Sequence, residues 1–293
     1  MRTALVALSL AFTAPLHAET PDLFDGSSDQ KVELPSFRFT PNAAPKGVDA
    51  HPAQTKQTGS DLFYFSPEEA QEAKKRFGVK ALFEPAGELP FDEDVPKDIQ
   101  KQLLGDLSFI GTIQGSGASP LHKEIFGEVN GAVYARFFKS RVSAVGMSGC
   151  GDGTAVACVM PFWDPSKMWL TQNYIKFSHP QISRLMVVFH EARHTESNRG
   201  NWSHASCPSP FVGPDGKEIR SIWTGESLAG ERACDKTPLG AYASSSVMLK
   251  NIQNRCTSCT DKVRMDAGLY ADDQLGRVTD SDARRRMVED ARL

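Results

Sequence analysis

His190, Glu191 and His194 form a short stretch whose residue types and spacing indicate chemistry. If this stretch is helical, the two histidines lie on the same face, so their imidazoles can bind one metal ion. Imidazole is a preferred ligand of zinc. A glutamate beside the first histidine lies off the ligand axis, toward the water that such an ion would hold. The pattern therefore predicts a zinc site with Glu191 as general base.

The residues before this motif predict that it lies on a helix. Apolar residues such as Leu185 and Phe189 recur at helical spacing and would face a core, whereas Ser183 and Arg184 supply polar positions. The Ser-His-Pro sequence at 178–180 is a typical helix start. A surface helix that carries the motif by coincidence is the alternative interpretation.

Through this His-Glu-Ala-Arg-His motif the chain resembles the zincins, a superfamily of zinc-dependent metallopeptidases. The resemblance covers five residues directly and, more loosely, the order of the flanking elements. It implies that His190 and His194 bind zinc and that Glu191 is the catalytic base. It also implies an α+β, zincin-like fold with a small mixed or antiparallel sheet, a metal-binding helix and a loop-rich, helical, disulfide-stapled C-terminal lobe.

The third zinc ligand distinguishes the zincin clans, and three residues are candidates here. His204 follows the motif after a longer spacer than metzincins have. Glu231 has an aspartate four residues later, as in gluzincins, and Asp235 precedes a tyrosine-containing stretch, as in aspzincins. His204 is favoured because imidazole suits zinc and a loop after the helix can fold back over the ion. Asp235 and Glu231 remain alternatives, since spacing alone does not fix a site that folding assembles.

The N-terminal sequence predicts export. A basic start, an apolar run from Ala4 to Ala14, and Ala18 before an acidic residue are typical of a secretory signal peptide over 1–18, cleaved after Ala18. Residues 19–60 are polar and proline-rich, which predicts an extended arm or linker, or alternatively an activation segment. Residues 61–293 would then form the zincin-like catalytic domain, with lobes of roughly 61–200 and 201–293. No later stretch has the length of a transmembrane helix.

Six cysteines in an exported chain favour three disulfides. The expected pairs are Cys150 with Cys158, Cys207 with Cys234, and Cys256 with Cys259. The first pair would staple a hairpin around a Gly-Asp-Gly turn. The second would connect the loop of His204 to the segment of Asp235, which lowers the entropic cost of ordering the third ligand. The third could alternatively be half of a structural zinc site.

Periodicity and breaker residues predict the surrounding elements. Helices are expected over 66–76, 92–104, 241–253 and, as a solvated tail, 281–293; strands are expected over 142–147, 154–160 and 167–175, and 121–140 is mixed. The first two strands should pair with each other. By resemblance, Met168 to Tyr174 would form the upper edge of the cleft and pair with an extended peptide, with an internal strand as the alternative.

Two residues of the 241–253 helix have possible roles beside the metal. Met248 could lie beneath the ion, as metzincin methionines do, and Tyr242 could donate its phenol to the developing oxyanion. Packing in the core is the commoner role of each residue type.

These features favour a secreted or periplasmic zinc-dependent peptidase that acts on a peptide or protein substrate. A formal net charge of −3, without a basic stripe, argues against a nucleic-acid partner. Two alternatives stay open. One is a zinc-dependent cell-wall amidase or endopeptidase, and the other is a non-catalytic, disulfide-stapled exported binding protein.

Overall fold

The computed structural model describes residues 89–147, 150, 155–160, 163–176, 179–196 and 203–293. The predicted signal peptide, the arm and the helix expected over 66–76 lie outside these residues. The turn expected at Gly151 to Gly153 also lies outside them.

The described part of the chain is mixed α and β, as expected, with a small three-stranded sheet. In chain order the elements are α1 (Lys97–Gly111), α2 (Pro120–Ile125), α3 (Gly131–Lys139), β1 (Ala144–Met147), β2 (Ala157–Met160), β3 (Asp164–Leu170), α4 (Asn173–Lys176), α5 (Gln181–His194), α6 (Ala241–Arg255), α7 (Asp261–Gly276) and α8 (Ser281–Arg292).

The sheet has the order β1-β3-β2, which corrects the expected pairing of the first two strands. β1 runs parallel to β3, with Ala144 opposite Lys167, and β2 runs antiparallel to it, with Ala157 opposite Leu170. Met168, Trp169 and Leu170 are all buried in succession. A strand buried on both faces has a continuous apolar run and belongs inside a sheet.

The prediction that Met168 to Tyr174 forms the edge of a cleft is therefore wrong, and the internal-strand alternative is correct. β3 ends at Leu170, where the Thr171 backbone N–H donates to the Val156 carbonyl, and α4 follows. Within the described residues, the strand with one neighbour beside the motif helix is β2.

The motif helix α5 is buried along its whole length, from Gln181 to His194. Pro180 precedes its first turn, where a missing backbone N–H costs nothing. The expected polar positions do not face solvent. Ser183 is buried, and the buried Arg184 forms a bidentate ion pair with Asp106, with nitrogen–oxygen distances of 2.7 and 2.8 Å. A charge inside the core requires such a partner.

Helices on either side of α5 complete the core. α1 begins at Lys97, after Pro96, and not at residue 92; the mixed region over 121–140 is two helices, α2 and α3. Sequence periodicity did not predict α7, whose apolar residues lie on several faces: Val263 is fully buried while Met265 is 69% exposed.

The C-terminal helix α8 is not simply a solvated tail. Its Asp290 is buried and accepts hydrogen bonds from the Ser119 hydroxyl and the Leu121 backbone N–H at the start of α2. A carboxylate at a helix N-terminus satisfies free N–H groups and interacts favourably with the helix dipole. The last helix therefore holds the N-terminus of α2.

All three expected disulfides are confirmed: Cys150–Cys158, Cys207–Cys234 and Cys256–Cys259. The last pair is thus a disulfide and not half of a zinc site. Three disulfides indicate an oxidising or extracellular environment. Among the described residues, no helix has the length and apolar character needed to cross a membrane.

Candidate metal centre

Three imidazoles converge at the C-terminal end of α5. His190 and His194 lie one helical turn apart, and His204 reaches them from the segment that follows the helix. The Nε2 atoms are 3.1 Å apart for His190 and His194, 3.1 Å for His190 and His204, and 3.0 Å for His194 and His204. The cluster could therefore bind a metal ion.

The donor set fits a metal ion on chemical grounds. Each Nε2 atom faces two others at hydrogen-bonding distance, and neutral imidazoles cannot satisfy three such contacts by sharing protons. Zinc–nitrogen bonds of about 2.0–2.1 Å at tetrahedral angles would separate neighbouring nitrogens by about 3.4 Å, a few tenths more than observed. Burial, followed by the proximity of His194, His204 and Arg277, lowers the pKa of His190 well below its usual range. A neutral imidazole is the form that binds metals.

Asp235 orients His204 and does not join the cluster. Its Oδ1 atom lies 3.1 Å from the His204 Nδ1 atom, and its Oδ2 atom accepts a hydrogen bond of 3.0 Å from the Ala243 backbone N–H in the first turn of α6. If Nδ1 donates to the carboxylate, the Nε2 lone pair of His204 points toward the other two imidazoles. Glu231, the other alternative ligand, is exposed and lines the cavity without contributing to the three-histidine cluster.

Glycine is required where Asp235 meets α6. A Cβ atom added to Gly240 would lie 2.3 Å from the Asp235 carboxyl carbon. The carboxylate can approach the helix N-terminus this closely only because residue 240 has no side chain. The helix dipole further stabilises the negative charge there.

The segment that carries His204 has little regular structure, so other contacts hold it. Ala205 and Cys234 exchange backbone hydrogen bonds of 2.7 and 3.1 Å, and the Cys207–Cys234 disulfide lies beside this bridge. The Asp235 backbone N–H also donates to the Arg277 carbonyl, 2.9 Å away. The segments that carry His204 and Asp235 are thus tied together by the Cys207–Cys234 disulfide and a short two-stranded bridge.

Glu191 lies in the same cavity as the imidazoles and is 5% exposed. Burial raises its pKa to about 8, and a hydrogen bond from the Val159 backbone partly opposes this effect. Its Oε2 atom has no hydrogen-bond partner among the described residues. A positive charge beside this carboxylate would favour its ionised form.

The cavity has a volume of about 640 Å³ and is lined by residues from several elements. β2 and the residues before it form one wall, the segment from Ser221 to Ala233 forms another, and α5 provides the base. The cavity also includes Tyr242, Gln274 and Arg277 from α6 and the end of α7. Residues of β2 and the three-histidine cluster therefore line one cavity.

Tyr242 packs directly on the cluster. Its ring centroid is 4.4 Å from that of His190 and 4.3 Å from that of His204, to which it is stacked. Burial raises the pKa of the phenol, while the charge and hydrogen bonding of Arg277 lower it. Met248 is fully buried in the core and is not among the cavity-lining residues, so nothing here supports a role beneath an ion.

Sequence reasoning missed two features of this site. The sequence suggested Asp235 as a possible metal ligand, whereas its carboxylate contacts the Nδ1 atom of His204. Sequence alone does not distinguish these two roles of an aspartate. Arg277, at the end of an unpredicted helix, gave no signal, because its place beside Tyr242 depends on the packing of α6 against α7.

The chain matches no protein-family model, no curated protein and no solved structure.

Proposed function

We propose that the protein is an exported zinc-dependent peptidase of the zincin type, with His190, His194 and His204 as zinc ligands and Glu191 as general base. The observation that carries this proposal is the convergence of three Nε2 atoms within 3.1 Å beside a buried glutamate in an open cavity. Three histidine ligands with a position left open are typical of catalytic zinc sites.

A bound zinc ion would supply Lewis acidity toward a carbonyl oxygen and toward water. Glu191 would take a proton from the attacking water on its unpartnered Oε2 atom. As the carbon–nitrogen bond breaks, the same carboxyl group would return that proton to the leaving amine. The products are a carboxylic acid and an amine, and the glutamate ends in its starting state.

The cavity wall supports a peptide as the substrate. β2 pairs with β3 on one side and lines the cavity with Ala157, Cys158 and Val159. An extended peptide can pair with the backbone of such a strand, and a peptide bound in this way would lie across the cavity. The edge role that the sequence suggested for Met168 to Tyr174 thus passes to β2.

The experiment that tests the proposal is Glu191→Gln, assayed for zinc content and for cleavage of a casein substrate. Glutamine keeps the shape of glutamate but cannot accept the proton, so turnover should fall by orders of magnitude while zinc remains stoichiometric. Glu231→Gln is the matched control, since it changes an exposed glutamate of the same cavity.

Full activity in Glu191→Gln would exclude this glutamate as the base. The metal-dependent function as a whole would be contradicted if the parent protein, purified without chelators, contained no zinc and kept its full cleavage activity when a chelator was added.

A further inference from the structure

We propose that Arg277 binds a carboxylate of the substrate, so that the cavity selects peptides with an acidic side chain or a free C-terminus close to the cleaved bond. The proposal rests on the proposed function and names the substrate class of the same site. It is carried by a buried guanidinium that lines the cavity while little of its hydrogen-bonding capacity is used.

Arg277 differs in its partners from the other two buried arginines of the described chain. Arg184 forms a bidentate ion pair with Asp106, with nitrogen–oxygen distances of 2.7 and 2.8 Å. Arg193 donates to the Glu196 carboxylate and to a backbone carbonyl. Both of these guanidinium groups have a carboxylate at close range, as a buried charge requires, and neither lines the cavity.

The ion pair of Arg277 is weaker than these. Its NH2 atom lies 3.4 Å from an Asp273 carboxylate oxygen, which is longer than the usual charge-assisted hydrogen bond. That same oxygen accepts a hydrogen bond of 2.7 Å from the Gln274 side-chain amide. The Nε atom of Arg277 is buried and has no hydrogen-bond partner among the described residues. An anionic ligand would therefore complete the hydrogen bonding of a buried cation.

The position of Arg277 connects it to the metal centre. Its Cζ atom lies 4.6 Å from the centroid of the Tyr242 ring, and the same ring contacts the imidazoles of His190 and His204. An aromatic face attracts a cation but offers no oxygen, so this contact does not replace a hydrogen-bond acceptor. A substrate group that binds Arg277 would therefore belong to a residue close to the cleaved bond.

A carboxylate is the ligand that best fits this donor. Guanidinium N–H groups match the two oxygens of a carboxylate, which a peptide carries on its acidic side chains and at its C-terminus. Besides Glu191, two acidic residues of the described chain line the cavity, and both of them, Glu226 and Glu231, are exposed. Water screens these two charges, whereas Arg277 is 5% exposed and acts in a medium of lower dielectric constant.

The experiment measures peptide binding by calorimetry, with zinc present, in the Glu191→Gln protein, which should not consume the peptides. One set of acetylated, amidated tetra-alanine peptides carries a glutamate at each position in turn, and a matched set carries glutamine. A further pair is the tetra-alanine peptide with a free and with an amidated C-terminus. The two comparisons test the two sources of the carboxylate separately.

We expect the carboxylate form to bind about tenfold to a hundredfold more tightly than its neutral partner in one of these comparisons, because a hydrogen bond between charged groups contributes that much. Arg277→Gln should lower this ratio to about one. Arg277→Lys keeps the charge but not the paired geometry, so its ratio should be intermediate. Zinc content should stay at the parental level in both variants, which shows that the cluster remains assembled.

Arg232→Gln is the matched control, because Arg232 is an exposed arginine of the same cavity and donates to the His204 carbonyl. The ratio should persist in this variant. Loss of the ratio in Arg232→Gln but not in Arg277→Gln would place the carboxylate on the wrong arginine and overturn the proposal.

Two further outcomes would also overturn it. The first is equal binding of the charged and neutral peptides when Arg277 is intact, which requires no variant of this arginine. The second is a ratio that Arg277→Gln leaves unchanged, since the carboxylate would then bind elsewhere, for example to the zinc ion. A protein that shows the Arg277-dependent ratio but cleaves no peptide would contradict only the proposed function.

Discussion

The three imidazoles come from two regions that are ordered in different ways. Helix α5 supplies His190 and His194 through its own periodicity, and its whole length is buried. The region from Ser203 to Asp235 supplies His204 and is held by isolated bridges and one disulfide. The helix thus presents two imidazoles wherever it packs, whereas the position of the third imidazole depends on contacts distant in sequence. Metal binding should therefore respond differently to changes in the two regions.

The largest effect should come from removing an imidazole in either region. We expect His194→Ala and His204→Ala each to lower zinc affinity by at least about a hundredfold, because each ligand contributes several kcal/mol to the binding free energy. Chelator competition measures this quantity. Glu231→Ala is the control and should keep parental affinity; zinc retention by His204→Ala together with loss in Glu231→Ala would move the third ligand to the glutamate.

A smaller effect is expected when the orienting carboxylate is neutralised. Asp235→Asn should lower zinc affinity by about tenfold to a hundredfold, since the amide no longer fixes the His204 tautomer. The same titration applies, with Asp215→Asn as a control at an exposed position of the same region. Equal affinities of Asp235→Asn and the parent would mean that the loop contacts alone orient the imidazole.

The smallest effect on zinc affinity should follow from removing the Cys207–Cys234 disulfide, which lies beside the Ala205–Cys234 bridge. The Cys207→Ser/Cys234→Ser variant should bind zinc about tenfold more weakly, because part of the ordering cost of the segment is then paid on binding. The free energy of unfolding of the metal-free protein should fall by about 3 kcal/mol, measured in urea.

Removal of a different disulfide provides the comparison. The Cys256→Ser/Cys259→Ser variant removes a disulfide with a sequence separation of 3. This disulfide follows the C-terminal end of α6, whereas Tyr242, which contacts the imidazoles, lies at the N-terminal end. The variant should leave zinc affinity unchanged. If both variants lose zinc equally, general loss of stability, and not the tie between His204 and Asp235, explains the effect.

The features that sequence predicted correctly depend on local spacing or on covalent chemistry. The helix bearing His190 and His194 follows from periodicity, and its observed start agrees with the proline at 180. The three cysteine pairs are the expected ones, although six cysteines allow fifteen connectivities and the sequence alone does not select among them. That His204 is a metal ligand stays a prediction; the structure brings its imidazole to those of His190 and His194, and this approach depends on Asp235, 31 residues away.

The features that sequence did not predict depend on which surfaces meet in space. Two runs rich in β-branched residues and bounded by glycines are typical of a hairpin, yet β3 lies between them in the sheet. The consecutive apolar residues of β3 are buried on both faces, as is typical of an internal strand. Arg184 appeared to be a surface position because its partner, Asp106, lies 78 residues earlier. Arg277 had no signal, since the ring it contacts belongs to another helix.

The ion pair between Arg184 and Asp106 affects the directions in which the His190 and His194 side chains leave the helix. Because α5 is buried along its whole length, hydrophobic burial defines the rotation of this helix about its axis less sharply than it would for a helix with a single apolar face. The bidentate contact between Arg184 and Asp106 forms at only one rotation of the helix about its axis. The Tyr174 hydroxyl also donates to the Asp106 carboxylate, 2.7 Å away. This ion pair, which does not line the cavity, therefore helps to fix the directions of His190, about 1.7 turns further along the helix, and of His194, about 2.8 turns further along.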